Sequence, residues 1–335
     1  MRGQARTVAV TGAGGFLGRY VCRSLVERGY RVRAISSQRL IARERLEVVT
    51  LPDLCDAENL ERALTGVEAV IHLAGAAHLR GAASADTKVF RSANVSAVGA
   101  VCVATARVGA NHFVLMSSAG VVGEPGSEIV STATPLRPVS PYGRSKLEGE
   151  LRARETLAAT AVRLRVLRPP MVYGPGMRGN PLRLFSLVDR GVPLPLGGVH
   201  NRRSLLSVGN LAQAIECAIE SDAHLEDPLY VSDAEAPSTP ELVRAIAVAL
   251  DRPARLMPVP QWILDGLAGA IEAAGAIVPT GVALRASDLR RLTGSFVVDP
   301  KPAHESIGFV PRMSLSEGLA EAASWWRRGR PQIWP

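Results

Sequence analysis

Residues Thr7 to Gly18 read TVAVTGAGGFLG, and the fold follows from how this stretch is parsed. A short β-branched run, TVAV, leads directly into Gly12, Gly15 and Gly18, spaced by three. A helical pattern begins near Phe16 and Leu17 and runs to about Gly29. Glycines between a strand and a helix permit a tight turn and close backbone approach. The helix N-terminus then offers free N–H groups and the positive end of its dipole to a pyrophosphate. The stretch therefore predicts a dinucleotide-binding unit at the start of the chain.

Outward from it, short apolar runs alternate with helical patterns. RVRAI is followed by a helix near 57–65, AVIHLAG by one near 90–109, HFVLMSS by one from about 141, and RLRVLRP comes after that. Such alternation is the signature of successive βαβ units. The expected fold is α/β: a Rossmann-type doubly wound parallel sheet with a smaller C-terminal α/β substrate-binding lobe. Residues 1–173 are assigned to the NAD(P)-binding domain, with segments near 204–232 (LLSV, PLYV) returning to the sheet. Residues 174–335 are assigned mainly to the substrate lobe. The apolar segment Trp262 to Val278 carries Asp265 and Glu272 seven apart, on one helical face, and reads as an amphipathic helix.

The chain has 335 residues and a formal charge of 39 − 31 = +8. That excess would suit nucleic acid, a membrane surface or a phosphate-bearing small molecule. The basic residues, however, are nearly all dispersed arginines, with lysine only at 88, 146 and 301, so nucleic-acid binding is not expected. Cys22, Cys55, Cys102 and Cys217 form no CxxC pair, which points away from zinc and disulfides and toward a reducing cytoplasm. No pair of histidines has metal-ligand spacing, so no metal is expected. No uncharged apolar run reaches membrane-spanning length, and the first strand begins too early for a signal peptide.

At the end of the second strand an NAD-selective site places a carboxylate against the ribose diol. Here the chain reads Ser36, Ser37, Gln38, Arg39. Hydroxyl and guanidinium groups suit a 2′-phosphate, so NADP(H) is tolerated or preferred and NAD is not excluded. Asp53 and Leu54, after the third strand, are expected at the adenine edge. Leu73, Ala74 and Gly75, after the fourth, are expected to pass close to the cofactor.

SPYGRSK sets Tyr142 and Lys146 four apart at a helix start, with Ser140 as N-cap and Pro141 in the first turn. That spacing places both on one face. With five tyrosines and three lysines in the chain, a chance Tyr-x-x-x-Lys has an expectation of only ~0.04. A phenol near pKa 10 shuttles protons poorly at pH 7, and an adjacent ammonium is expected to bring it toward the working range. Ser118, at the end of HFVLMSS, is expected beside Tyr142, where it would hydrogen-bond the reacting oxygen. His72 lies in an apolar strand and reads as core. His78, just beyond the cofactor-facing turn, is a candidate substrate contact.

With these residues in place the chain resembles an extended short-chain dehydrogenase/reductase of the NAD-dependent epimerase/dehydratase family. The resemblance covers nearly the whole length, through TGAGGFLG, DLCD, HLAG, NVSAVGA, SSAGVVG, SPYGRSK, LRPPMVYGPG, NRRSLLSVGNLAQAI and YVSDAEAPSTPELVRAI. It implies that Ser118, Tyr142 and Lys146 form the catalytic triad, that Tyr142 and Lys146 also touch the cofactor, and that Asn94 helps order the substrate side. It further implies that Pro169 opens the loop over the nicotinamide, and that the protein is a homodimer through the helices near 90–109 and 141–156.

Relatives that dehydrate sugars carry an Asp-Glu pair where Ala119 and Gly120 stand here. Decarboxylating relatives place Glu at the second position, and C3/C5 epimerases place Cys at the first. Elimination needs a donor and an acceptor that these positions do not supply, which leaves hydride transfer at one carbon. Val122 replaces a common Tyr, and Met171 replaces a frequent Asn that contacts sugar or phosphate. The resemblance puts Arg203, next to Arg202, at the nucleotide-sugar diphosphate, where arginine forks bind bidentately, and places Asn180 and Arg183 in the substrate loop.

RGNPLRL, GVPLPLGG and NRRSL are most similar to a UDP-glucose 4-epimerase-like subgroup. It includes reductases of UDP-4-keto-6-deoxy-N-acetylhexosamines that serve polysaccharide synthesis. The expectation is NAD(P)-dependent hydride transfer at C4 of a UDP-sugar, first as a 4-keto reductase and alternatively as a 4-epimerase. Further alternatives are a reductase of a non-sugar ketone and a non-catalytic dinucleotide-binding module, the latter predicting decay of the triad. The C-terminal SWWRRGRPQIWP has two readings: a last helix whose tryptophans cap the substrate lobe, or an aromatic-basic tail touching anionic lipid.

Overall fold

A computed structural model of the chain describes residues 6–77, 86–124, 126, 128–223, 227–273, 278–280, 282–284 and 286–333. The first half is built from β1 (Thr7–Thr11), α1 (Phe16–Glu27), β2 (Arg31–Ser36), β3 (Leu46–Thr50), α2 (Ala57–Leu64) and β4 (Ala69–His72). One long helix follows, consisting of α3 (Thr87–Arg91), a π turn at Ser92–Ser96 and α4 (Ala97–Arg107). After it come β5 (His112–Met116), β6 (Ile129–Val130), α5 (Pro141–Leu157), β7 (Arg163–Arg168) and β8 (Met171–Tyr173). The remainder is α6 (Asn180–Asp189), β9 (Leu205–Ser207), α7 (Val208–Glu220), β10 (Leu229–Tyr230), α8 (Thr239–Leu250), α9 (Gln261–Ala273), β11 (Val278–Thr280), β12 (Val282–Leu284), α10 (Ala286–Thr293), β13 (Val297–Val298), α11 (Lys301–Ile307) and α12 (Leu315–Arg327).

Seven strands form one sheet in the order β10-β7-β5-β4-β1-β2-β3, every neighbour parallel. All five residues of β5 are buried, as expected of a strand covered on both faces. Val8 and Val10 face α1, α7 and α11, whereas Ala9, one residue out of phase, faces α2, α4 and α5. A separate core under α6, α8 and α12 includes Tyr173, Phe185, Leu196, Ile246 and Trp325. Capping boxes start α8, at Ser238 and Glu241, and α12, at Ser314 and Glu317.

Three expectations need correction. Of the two segments expected to return to the main sheet, only Leu229–Tyr230 does so; Leu205–Ser207 pairs with Met171–Tyr173 in a two-stranded sheet of its own. A run of three strand residues carries no signal about which edge it joins. The helix expected to reach Val278 is Gln261–Ala273, and residues 274–277 lie outside the described residues.

The lipid reading of the C-terminal segment is also overturned. Trp325 is buried and donates its indole N–H to the Pro331 carbonyl (2.8 Å), and Trp326 donates to Asp189 (3.0 Å) and lies against Phe185. Both rings therefore cap the substrate-side core; Trp334 lies outside the described residues. The helix Thr87–Arg107 is long and apolar enough to cross a membrane, yet it is half buried and packs on α2 and α5 as a core helix.

Candidate active site

The C-terminal edge of β5 and the first two turns of α5 bring the key side chains together. Ser140 caps α5 by accepting from the Gly143 N–H (3.0 Å), and Pro141 occupies the first turn. Gly143 is required here, since a Cβ would lie 2.9 Å from the Gly120 carbonyl. α5 thus seats directly on the tight turn Ala119–Val122, whose N-cap is Ser118: its Oγ accepts from the Gly120 N–H (3.1 Å). The same Ser118 hydroxyl stands beside the Tyr142 phenol and favours its ionised form, and Phe90 meets the Tyr142 ring edge-on at 6.2 Å. One turn on, the Lys146 ammonium is buried and donates to the Met116 carbonyl (2.7 Å).

The electrostatics depart from the simple expectation of a Lys-depressed phenol. Burial pushes the Tyr142 phenol up from its ordinary value, and the Ser118 hydroxyl offsets this only in part. The Lys146 amine, which was expected to lower the phenol, is itself pushed down to about 8 by burial, with the Glu150 carboxylate opposing the fall. Its hydrogen bond goes to Met116 rather than to Tyr142. His72 is a core residue: fully buried, it pairs through Nδ1 with Thr11 Oγ1 (2.9 Å), stacks on Phe113, and is pushed down to about 3 by burial.

Asn94 sits in the π turn, 1 % exposed, and its amide is consumed internally. It accepts from the Ala76 N–H (3.0 Å) and donates to the Ala76 carbonyl (3.0 Å) and Ser145 Oγ (2.9 Å). It orders the site by tying the loop that follows β4 to α5. Ser145 was missed in the sequence, as was a buried cluster behind the site. There Glu150 accepts from Ser117 Oγ and from Arg168, through Nε (3.0 Å) and Nη2 (2.6 Å). The signals were present: Glu150 continues the i, i+4 row of Tyr142 and Lys146, and Arg168 stands in an otherwise apolar strand end.

The dinucleotide cradle fits the group it is expected to hold. Gly12 has φ +72°, and a Cβ there would lie 2.5 Å from the Ala74 N–H, so its strand end can approach Ala74 only as glycine. A Cβ on Gly18 would strike the Gly12 carbonyl. α1 is capped by Gly15 with no side-chain bond, and no acidic residue stands in its first turn at Phe16 and Leu17, so its first N–H groups and the positive end of its dipole are left to an anion. Ser36 is buried with its Oγ accepting from the Gln38 N–H (3.0 Å), while Ser37 and Arg39 are exposed. Asp53 accepts from the Cys55 N–H (2.8 Å) and is exposed beside half-buried Leu54. Leu73 and Ala74 are half-buried and Gly75 is exposed. Any side chain at Gly75 would collide with Asn94 Oδ1 (2.5 Å) and approach Lys146 Nζ (3.5 Å). The carbonyl of Pro169 accepts from the Ala119 N–H (2.9 Å).

On the substrate side Arg203 is half-buried and donates to the Gly294 carbonyl (2.7 Å). Among the described residues no carboxylate pairs with it, and burial, with Arg291 nearby, pushes its guanidinium down to about 10. Arg202 is exposed. Asn180 and Arg183 lie on the first turn of α6, half-buried, rather than in an open loop. Val122 is packed in an apolar cluster with Val130 and Tyr230. His78 lies outside the described residues. No group of three metal-binding side chains occurs among the described residues.

The sheet order, the glycine turn before α1, and Ser118 with Tyr142 and Lys146 at the sheet's C-terminal edge define an extended short-chain dehydrogenase/reductase. The sequence profile of the NAD dependent epimerase/dehydratase family matches residues 8–231. The chain belongs to that family, whose members include NAD-dependent epimerases, dehydratases and reductases.

Among curated relatives, a UDP-glucose 4-epimerase of Vibrio cholerae is 29% identical over 327 residues, covering 96% of each chain. A 2-alkyl-3-oxoalkanoate reductase of Stenotrophomonas maltophilia is 28% identical over 330 residues, 93% of this chain and 97% of the relative. Among solved structures, MoeE5 in complex with UDP-glucuronic acid and NAD superposes with a TM-score of 0.74 at 26% identity, over 96% of this chain and 99% of that one.

Proposed function

We propose that the protein transfers a hydride at C4 of a UDP-linked sugar, as the NAD(P)H-dependent reductase of a 4-keto-6-deoxy-N-acetylhexosamine. The observation that carries the hydride-transfer reading is the pairing of Ser118 with Tyr142 beside a turn that holds only Ala119 and Gly120. Side chains for proton relay to one carbinol oxygen are present, and none for elimination stands at those two positions. When bound, the dinucleotide supplies the hydride and accepts it in reverse. Tyr142 gives its proton to the C4 oxygen as the carbonyl is reduced, and Ser118 donates a hydrogen bond to the same oxygen. Lys146 reaches the nicotinamide ribose, and Pro169 closes over the ring.

In this reading residues 1–173, with the segment near 204–232, hold the dinucleotide: Gly12, Gly15, Phe16, Leu17 and Gly18 at the pyrophosphate, Ser36 and Arg39 at the adenosine ribose, Asp53 and Leu54 at the adenine. Residues 174–335 mainly hold the sugar nucleotide, with Arg203 on the diphosphate and Asn180, Arg183 and His78 around it. The missing carboxylate after β2 favours exchangeable NADPH, and hence a net reductase. The protein would work in the cytoplasm as a homodimer, for which the exposed Val103 and Leu151 on α4 and α5 offer an apolar face, and would serve polysaccharide synthesis.

A second reading, UDP-hexose 4-epimerase, is favoured by the Vibrio cholerae relative, which spans the chain almost end to end. The Stenotrophomonas maltophilia relative keeps a non-sugar ketone in view. Mass identification of the nucleotide that co-purifies, followed by titration with NADPH and NADH, tests the choice. Reversible NADPH binding to a protein purified without nucleotide, with turnover of a 4-keto-6-deoxy UDP-sugar, is the expected result. Tightly held NAD⁺ would select the epimerase.

A further inference from the structure

Glu150 is a carboxylate with 2 % exposure, one helical turn beyond Lys146. It joins three chain segments, its own helix and two strand ends. The Ser117 hydroxyl, adjacent to Ser118 at the end of β5, donates to Oε1. Arg168, adjacent to Pro169 at the end of β7, donates to both carboxylate oxygens (3.0 and 2.6 Å) and through Nη1 to the Tyr230 hydroxyl (3.1 Å). The carboxylate itself rides on α5, in the same row as Tyr142 and Lys146. β5 and β7 are already in register here, with the Ser117 N–H on the Leu167 carbonyl (2.8 Å), so the cluster locks the two strand ends and α5 into one unit.

Stability alone does not call for such a cluster. A buried ion pair is often matched or bettered by apolar side chains of the same volume. The charges around Lys146 give it another use. On α5 the Glu150 carboxylate acts on the ammonium from one turn away; from β4, the neutral imidazole of His72; at the end of β5, the Met116 carbonyl accepts its hydrogen bond; Gly75 and the Asn94 amide lie beside it, and the Arg168 guanidinium from β7 is bound to Glu150. Glu150 is the anion of that set.

We propose that Glu150 is the positioning residue of this site: its carboxylate sets the relative placement of Ser118, Lys146 and Pro169, and its charge keeps Lys146 an ammonium. The consequence for catalysis rests on the reading of Tyr142 and Lys146 given above. The charge state of Lys146 does not, and can be measured without cofactor or sugar.

The chain's three lysines make that measurement direct. Protein labelled with ¹³C at lysine Cε gives resonances for Lys88, Lys146 and Lys301 only, and the exposed Lys88 and Lys301 serve as internal references. In the parent, Lys146 is expected to titrate at about 8. In Glu150→Gln it is expected to titrate about one pH unit lower or more, since the carboxylate that opposes the fall is gone while the burial that drives it remains. Glu150→Gln leaves Arg168 buried without its carboxylate and risks misfolding, so Glu150→Gln/Arg168→Met, which removes both charges, is measured beside it with the same expected direction.

Ser117→Ala keeps the charge and cuts one tether. There Lys146 is expected to titrate where the parent does, while kcat falls ~10-fold at unchanged KM for the substrate identified above. The proposal is overturned if Lys146 titrates at the parental pH in both variants that lack Glu150. It is equally overturned if Ser117→Ala moves Lys146 as far as they do, because general loosening would then explain the shift. A misassigned sugar would leave all of the NMR outcomes standing.

Discussion

Tyr142 is flanked by a hydroxyl donor on one side and an ammonium one turn away, and the two neighbours act differently. Ser118 stands beside the phenol and lowers its pKa, whereas Lys146 is turned to the Met116 carbonyl. Tyr142→Phe should therefore keep the cofactor site and lose proton transfer. The expected outcome is a kcat lower by ~10²–10⁴ with the dissociation constant for NADPH unchanged, checked by single-turnover kinetics and fluorescence titration.

Lys146 carries a cost that its removal exposes. An amine whose pKa falls from 10.5 to about 8 on folding costs ~3 kcal/mol at neutral pH. Replacing the amine leaves the buried Met116 carbonyl without its donor, which costs the variant ~1 kcal/mol in return. Lys146→Met should accordingly be inactive and about 2 kcal/mol more stable than the parent at pH 7. The unfolded chain holds the proton up to about pH 10.4 and the folded chain releases it near 8, so parental stability gains as pH rises across that window and the difference closes. Denaturant melts of both proteins at pH 7 and pH 10 measure it; an equal gap at the two pH values would place the cost elsewhere.

Among the elements, those whose pattern is long and periodic were legible from the sequence, because the information lies within the element. TVAV with its three glycines determines β1 and α1, and Ser140 with Pro141 determines the start of α5 to the residue. The short strands β8 and β9 were not legible as partners, since three residues cannot encode an edge. Nor was the π turn at Ser92–Ser96, which turns Asn94 inward and has no compositional marker.

The joint that β8 and β9 make depends on one carboxylate. Asp233, 4 % exposed, accepts from Tyr173 OH (2.9 Å), from the Ser207 N–H (3.0 Å) and from Asn210 Nδ2 (2.7 Å). Asn210 in turn holds the Met313 carbonyl (2.8 Å) ahead of α12. Asp233→Ala would strand three buried donors and is expected to destabilise the protein by ~3 kcal/mol or more, where Leu229→Ile, in the adjacent strand, would cost less than ~1.5. Thermal melts compare the two.

At the scale of the molecule, contacts between distant parts of the chain were the part no spacing rule could reach. Glu150 and Arg168 stand 18 residues apart in different elements, and Arg19 meets Ile333 across 314 residues. The last of these joins the two ends of the chain at the dinucleotide cradle. Arg19 donates to the Gly14 carbonyl within the glycine turn (3.0 Å) and to the Ile333 carbonyl (3.3 Å). Trp325 fixes the same tail through Pro331, and a Cβ on Gly176 would fall between the Ile333 and Phe16 side chains, at 2.7 and 3.2 Å. Tyr20 adds a bond from α1 to Glu321 on α12 (3.1 Å).

The tail thus buttresses the outer side of the glycine turn before α1, with Ile333 packed at the margin of the substrate-side core. Ending the chain at Arg328 removes the acceptor of the buried Trp325 indole and the Ile333 contact with the core, and is expected to cost ~2 kcal/mol, a drop of several degrees in melting temperature. The glycine turn would lose its brace, and the dissociation constant for the dinucleotide is expected to rise ~10-fold, because a loosened loop must be ordered again on binding. Isothermal titration of NADPH into both forms reads the effect. Equal affinities would show that α1 and the β1 strand end hold the turn by themselves, and the tail would then be packing alone.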